Sequence, residues 1–97
     1  MTFDGLLPIG SVVLLKGSSK RLMITGVGQY ALAEEGARRL YDYVAVVFPE
    51  GYLNPEENYL FDNEQIDKVY FIGLQHSESI AFLERADQTI ARLRAEG

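Results

Sequence analysis

His76 is the single histidine of the chain and sits beside Ser77 and Ser79, which on residue type alone offers a base next to two hydroxyl nucleophiles. Acyl-transfer chemistry needs those groups to converge in space with an orienting third group, and no Gly-x-Ser-x-Gly elbow is present to present a serine. The simpler reading places His76 as a polar residue at the start of a helix. Gly26-Val27-Gly28-Gln29-Tyr30-Ala31 loosely fits a dinucleotide fingerprint, whose glycines let a pyrophosphate approach the backbone at a helix N-terminus. The flanking sequence lacks repeated strand-helix-strand units, so these glycines read as a loop or bulge. Glu50, Glu56, Glu57, Asp62, Glu64 and Asp67 form the densest acidic stretch. Their spacing does not give the alternating ligands, central glycine and terminal bidentate acid of a calcium loop, which leaves a solvated acidic loop able to attract a basic protein surface.

Six tyrosines and no tryptophan make the aromatic complement. Most are expected as half-buried strand residues with their hydroxyls at the surface, and Tyr41, Tyr43 and Tyr52 are the set that could anchor a protein interface. Together with Glu56 and Glu57 they are the candidate protein-binding residues. No catalytic, cofactor-binding or metal-ligating set is assigned, and the chain reads as a non-enzyme.

The elements that must position these residues are short. Pro8 and Gly10 break the chain before a strand at Ser11 to Leu15, and Gly17-Ser18-Ser19 turns it into a second strand at Lys20 to Thr25, a β-hairpin. A second hairpin is expected from Gln29–Ala33 and Arg38–Phe48, turning at Glu34-Glu35-Gly36. The Tyr/Val-rich run from Leu40 to Phe48 is apolar on both faces, which predicts an interior strand that Pro49 ends. Tyr59-Leu60-Phe61 predicts another short strand. Asp62 and Gln65 have capping-box spacing for a single helical turn, and extended structure resumes from Lys68 to Leu74. From Ser77, taken as N-cap, Ile80, Leu83, Ala86, Ile90 and Leu93 form one apolar stripe with Phe82 beside it, opposite Glu84, Arg85, Gln88 and Arg92. The expected fold is one α+β domain: a strongly bent antiparallel sheet, or small open SH3-like barrel, of about five strands with a C-terminal amphipathic helix. A flat sheet crossed by one helix is the alternative.

Composition narrows the function classes. The 97 residues suffice for one small core, and 47% hydrophobic content is that of a folding chain. With no cysteine, disulfides, zinc-thiolate clusters and thiol nucleophiles are excluded. The N-terminus carries an acid where a secretory signal has positive charge, and no apolar run approaches the roughly 18 residues of a spanning segment, so a cytoplasmic protein is expected. A net charge of −5 disfavours nucleic-acid backbones and anionic lipid alike and favours a protein partner.

Leu7-Pro8-Ile9-Gly10-Ser11-Val12-Val13, Leu22-Met23-Ile24, Tyr41-Asp42-Tyr43, Pro49-Glu50-Gly51-Tyr52 and Ile66-Asp67-Lys68-Val69-Tyr70-Phe71-x-Gly73, in that order, resemble the family called domain of unknown function 4176, from about Leu7 to Leu83. The resemblance implies a small cytoplasmic protein of Gram-positive bacteria, encoded near LXG-type polymorphic toxins and the type VII secretion apparatus. The role it implies is that of an adaptor or chaperone binding such a toxin before export. Within binding proteins the alternative is an immunity protein that blocks the toxin domain; a small-ligand module or enzyme is the competing class. Pro8, Gly10, Tyr41, Asp42, Tyr43, Pro49, Glu50 and Gly51 carry over as a structural signature, and no catalytic residue or cofactor comes with them.

Overall fold

The β-branched and aromatic runs become five strands and the periodic tail becomes one helix in the computed structural model, which describes residues 5–32 and 36–96. The elements are β1 (Val12–Leu15), β2 (Leu22–Leu32), β3 (Arg38–Val47), β4 (Asn58–Phe61), β5 (Ile66–Phe71) and α1 (Ser77–Glu96). Single 3₁₀ turns at Pro55–Glu57 and Asn63–Gln65 precede β4 and β5. The sheet is antiparallel with order β4-β3-β2-β1-β5 and stays open, β4 and β5 being its edges. This is the expected α+β fold in its bent, open form.

Irregular register makes the bend. The β2–β3 pairing slips between Ile24 and Gly26, and the β1–β5 pairing slips twice, between Val12 and Val13 and between Leu14 and Leu15. Each such bulge adds local twist. Gly26-Val27-Gly28 therefore lies inside one continuous eleven-residue strand, β2, and not between two strands as the sequence suggested. Of the loop-or-bulge reading, the bulge is found beside Gly26, between it and Ile24, and the register is regular from Gly26 to Leu32. The hairpin turn expected at Glu34-Glu35-Gly36 falls mostly outside the described residues.

β1 pairs with β2 only at Leu22 and Met23, and β4 pairs with β3 only from Tyr43 to Val46. The remainder of the β2–β3 hairpin consequently extends past both neighbours as a two-stranded arm, and α1 lies against it. Gly28, against Ile90 of the helix, has φ of +65°, the left-handed region that glycine adopts without strain.

The core forms on the helix-facing side. The cross-strand row Val69, Val13, Leu22, Val47 joins Ile24, Ala45, Tyr43 and Phe61, and α1 adds Leu83 and Ile90, two turns apart on one stripe. Tyr43 and Phe61 stack at 5.3 Å between ring centroids. Burying a Leu or Ile of this kind is worth about 1.5–3 kcal/mol each, which fixes the helix to the sheet.

The first and last of the resemblance motifs meet at one place. Ser11 N–H closes a turn on the Pro8 carbonyl, and the buried Ser11 Oγ accepts the backbone N–H of Gly73 at 2.9 Å. A Cβ on Gly73 would overlap the Ile9 carbonyl, so the chain after β5 can pack onto the turn before β1 only as glycine. The helix starts at Ser77, the residue expected as its cap, and so one residue earlier than expected. His76 Nδ1 accepts the N–H of Glu78 at 3.2 Å, which makes His76, and not Ser77, the capping side chain.

Candidate functional site

Where the hairpin arm, the β4–β5 turn and the end of α1 converge, a cleft of about 900 Å³ opens. Its floor is a charged network. Asp42, in the middle of β3, and Asp62, just after β4, are each 8% exposed. The strands bring them together because Tyr43 pairs with Phe61, placing their neighbours side by side. Asp62 Oδ1 accepts the backbone N–H of Asp42 at 3.0 Å, and Asp42 Oδ2 accepts that of Asn63 at 2.8 Å. Arg94, one turn from the helix C-terminus, places Nη1 3.0 Å from Asp42 Oδ1 and Nη2 2.9 Å from Asp62 Oδ1, and donates to the Leu40 carbonyl. Arg39 reaches Asp62 Oδ2 at 2.9 Å from the arm.

Two carboxylates and two guanidiniums neutralise one another there, and all four carboxylate oxygens are occupied. Carboxylates held by guanidiniums in this way are poor general bases, because the paired cations stabilise their ionised form. What it does is structural: Arg94 joins the helix to β3 and to the β4–β5 turn. Tyr43 extends the tie below, its hydroxyl accepting the Leu7 N–H at 2.8 Å and donating to Asn63 Oδ1 at 2.7 Å. Burial, ahead of the nearby acidic charges, pushes this phenol up to about 12. Among the described residues no buried side-chain nitrogen or oxygen lacks a hydrogen-bond partner.

His76 and Ser79 lie outside this cleft, and their chemistry is used locally. Ser79 Oγ donates toward the carbonyls of His76 and Leu74, at 2.8 and 3.1 Å, and accepts the His76 N–H. The Ser/His neighbourhood is a helix cap. Among the described residues no three His, Asp or Glu side chains converge as a metal site requires, and no helix is long and apolar enough to cross a membrane.

The candidate protein-binding residues are not one cluster. Tyr43 is fully buried, so it is a core residue and not a surface anchor; its phenol was needed inside to satisfy Leu7 and Asn63. Tyr41 is half-buried on the arm, stacked under Arg39 at 4.4 Å and accepting a hydrogen bond from it. Tyr52 is 64% exposed in the β3–β4 loop, together with Leu53, and Tyr59 follows in β4, also exposed. Glu56 and Glu57 form the short 3₁₀ turn between them, capped by Asn54 Oδ1. At the base of this loop Glu50 is held by Lys20 at 2.7 and 2.8 Å, and that hydrogen bond lowers its carboxyl below the ordinary range. Tyr52, Glu56 and Glu57 thus share an apolar-and-acidic loop, while Tyr41 lies on the arm under Arg39 and Tyr43 in the core.

The Arg39–Asp62–Arg94–Asp42 network was not anticipated. Asp42 within an otherwise apolar strand was its one visible signal, because a carboxylate at an interior-strand position requires partners; Asp62 read as a cap. The cap itself is partly formed, with Gln65 Oε1 accepting the Asp62 N–H at 2.8 Å.

No curated protein and no solved structure matches the chain. A family model does, over residues 6–82, a span that contains the Ser11–Gly73 contact, the Asp42–Asp62 pair and the acidic loop. The chain belongs to the family described as Domain of unknown function (DUF4176).

Proposed function

We propose that this chain is a non-enzymatic cytoplasmic accessory protein, an adaptor or chaperone that binds an LXG-type toxin before its export by type VII secretion. The association is what the resemblance implies, and one observation carries the binding reading: the buried carboxylates of the cleft, Asp42 and Asp62, are spent on Arg39 and Arg94, whereas exposed apolar side chains stand beside uncompensated acids at Tyr52, Leu53, Glu56 and Glu57. Groups that saturate each other hold a fold, and groups left facing water with mixed apolar and charged character suit a protein contact.

The test is co-expression with the LXG-type effector encoded nearby, affinity purification, and a parallel toxicity assay. The expected result is a stable complex, with effector stability or export lost when this protein is deleted. Failure to bind any neighbouring effector overturns the reading. A complex that protects recipient cells from intoxication assigns an immunity role instead.

A further inference from the structure

A second concavity of about 300 Å³ runs between α1 and the projecting arm, lined by Val27, Tyr30, Leu40, Phe82, Ile90 and Leu93 among others. It continues into the charged cleft, with which it shares Tyr30, Leu40 and Leu93. Ile90 is buried at its floor. Phe82 and Tyr30, at its lips, remain 48% and 45% exposed, and Leu32, two residues further along the same strand face, is 76% exposed. These are large apolar side chains on one side of the molecule.

The rim has a definite charge. Arg85 lines the groove from the helix wall, and Arg38 lines the adjoining cleft from the arm, with its guanidinium 4.6 Å from the Tyr30 ring centroid. Neither forms an ion pair with a carboxylate among the described residues, in contrast to Arg39 and Arg94. Glu64 lines the adjoining cleft but not the groove. The groove's own lining therefore carries one charged side chain, the cationic Arg85, in a protein of net charge −5, and Arg38 faces Glu64 across the cleft into which the groove opens.

From these observations we infer that the groove seats an amphipathic helical segment of a protein partner, apolar on its buried face and flanked by Asp or Glu side chains that meet Arg38 and Arg85. The inference rests on the reading of this chain as a partner-binding protein. Length favours a helix: from Phe82 to Leu93 the α1 wall runs about 17 Å, three turns, matching apolar anchors at i, i+3, i+4 and i+7. A helix also brings its backbone groups already bonded, so side chains alone must be matched. Acidic flanks follow from the rim, since like charges facing Arg38 and Arg85 would oppose docking. A second copy of the chain is disfavoured by its own net negative charge.

The probes are two fluorescein-labelled stapled helices of three to four turns, identical in their leucine face, one flanked by Glu and the other by Lys, titrated by fluorescence anisotropy. The Glu helix should bind at least about tenfold tighter than the Lys helix, with the difference narrowing in high salt. Phe82→Ser should weaken it about tenfold or more, and Arg38→Glu combined with Arg85→Glu should reverse the preference, while thermal unfolding confirms that each variant is folded. No binding of the Glu helix, equal binding of both helices, or indifference to Phe82→Ser overturns the proposal. So does a dimer in sedimentation, or binding to phosphatidylserine vesicles, that Phe82→Ser abolishes, since these assign the groove to a second copy or to lipid. The co-expressed LXG-type effector separates the two readings. Undiminished capture by Phe82→Ser overturns the groove and leaves the accessory role, whereas an effector that wild type never binds, with the peptide preference intact, removes the accessory role and leaves the groove.

Discussion

Asp42 and Asp62, twenty residues apart, sit so close that the carboxylate of Asp62 accepts the backbone N–H of Asp42 at 3.0 Å. Two nearly buried carboxylates side by side repel unless a cation is shared between them, and Arg94 is that cation, with one guanidinium nitrogen on each. The segment Tyr41-Asp42-Tyr43 therefore encodes a fastening point: its acid takes the helix, and its second tyrosine takes the N-terminal segment.

Removing Arg94 leaves Asp42 without a guanidinium partner, so Arg94→Ala should destabilise the domain by about 1–3 kcal/mol. Arg39→Ala should cost less, under about 1 kcal/mol, because the Arg39 side chain is 60% exposed and Asp62 keeps Arg94. Urea unfolding of both variants compares them directly. Equal losses would mean that the helix does not depend on this clamp.

Gly73→Ala should cost at least about 3 kcal/mol, because the added carbon would overlap the Ile9 carbonyl oxygen and stand 3.1 Å from the Ser11 nitrogen, both backbone atoms that cannot rotate away. Gly17→Ala, at φ of +77° but with open space around it, should cost only about 1 kcal/mol of backbone strain. Thermal melts that rank Gly17 as the more sensitive position would show that the β5 exit packs differently.

Strands and helix were legible because their signals are local: β-branched runs, prolines and glycines at their ends, a stripe at three- and four-residue spacing. The single strand through Gly26-Val27-Gly28 was not, since cross-strand pairing to Tyr43 and Val44 carries the chain through two glycines that by themselves suggest a break. Tyr43 was expected half-exposed like other strand tyrosines. Its burial depends on Leu7 and Asn63, at separations of 36 and 20 residues, which no local pattern reveals. The same holds for the clamp: Asp42 signalled only that it needed partners, and no local pattern names Asp62 and Arg94 as those partners. Tyr52, Glu56 and Glu57 kept their expected place at the surface because a loop of that composition has little to pack against.

The Tyr43 phenol gives an alkaline signature. In the unfolded chain a tyrosine loses its proton near 10, whereas in the fold burial holds this one to about 12. Between those values the unfolded state has released a proton that the native state retains, so stability falls as pH rises through that window and the contribution is fully present below it. Tyr43→Phe should lower stability at neutral pH by about 1–3 kcal/mol, because the Leu7 N–H and Asn63 Oδ1 lose their partner, and should flatten the fall between pH 10 and 12. Melting temperatures across that range test both effects. An unchanged alkaline slope would assign the loss of stability to other groups.

The acidic loop makes a kinetic prediction for the proposed complex. Glu56 and Glu57 flank exposed Tyr52 and Tyr59 in a chain whose overall charge is already negative, so they can raise the encounter rate with a basic surface over distances limited by the Debye length, about 8 Å at physiological salt. Reversing both, Glu56→Lys with Glu57→Lys, should slow association with the effector several-fold at low ionic strength while leaving dissociation nearly unchanged, and the difference should fade in high salt. Stability should change little, since neither side chain pairs with a cation among the described residues. Surface plasmon resonance at two salt concentrations resolves the rates. An association rate that ignores both the reversal and the salt leaves the loop as solvated surface; a change confined to dissociation makes these glutamates direct contacts within the bound interface.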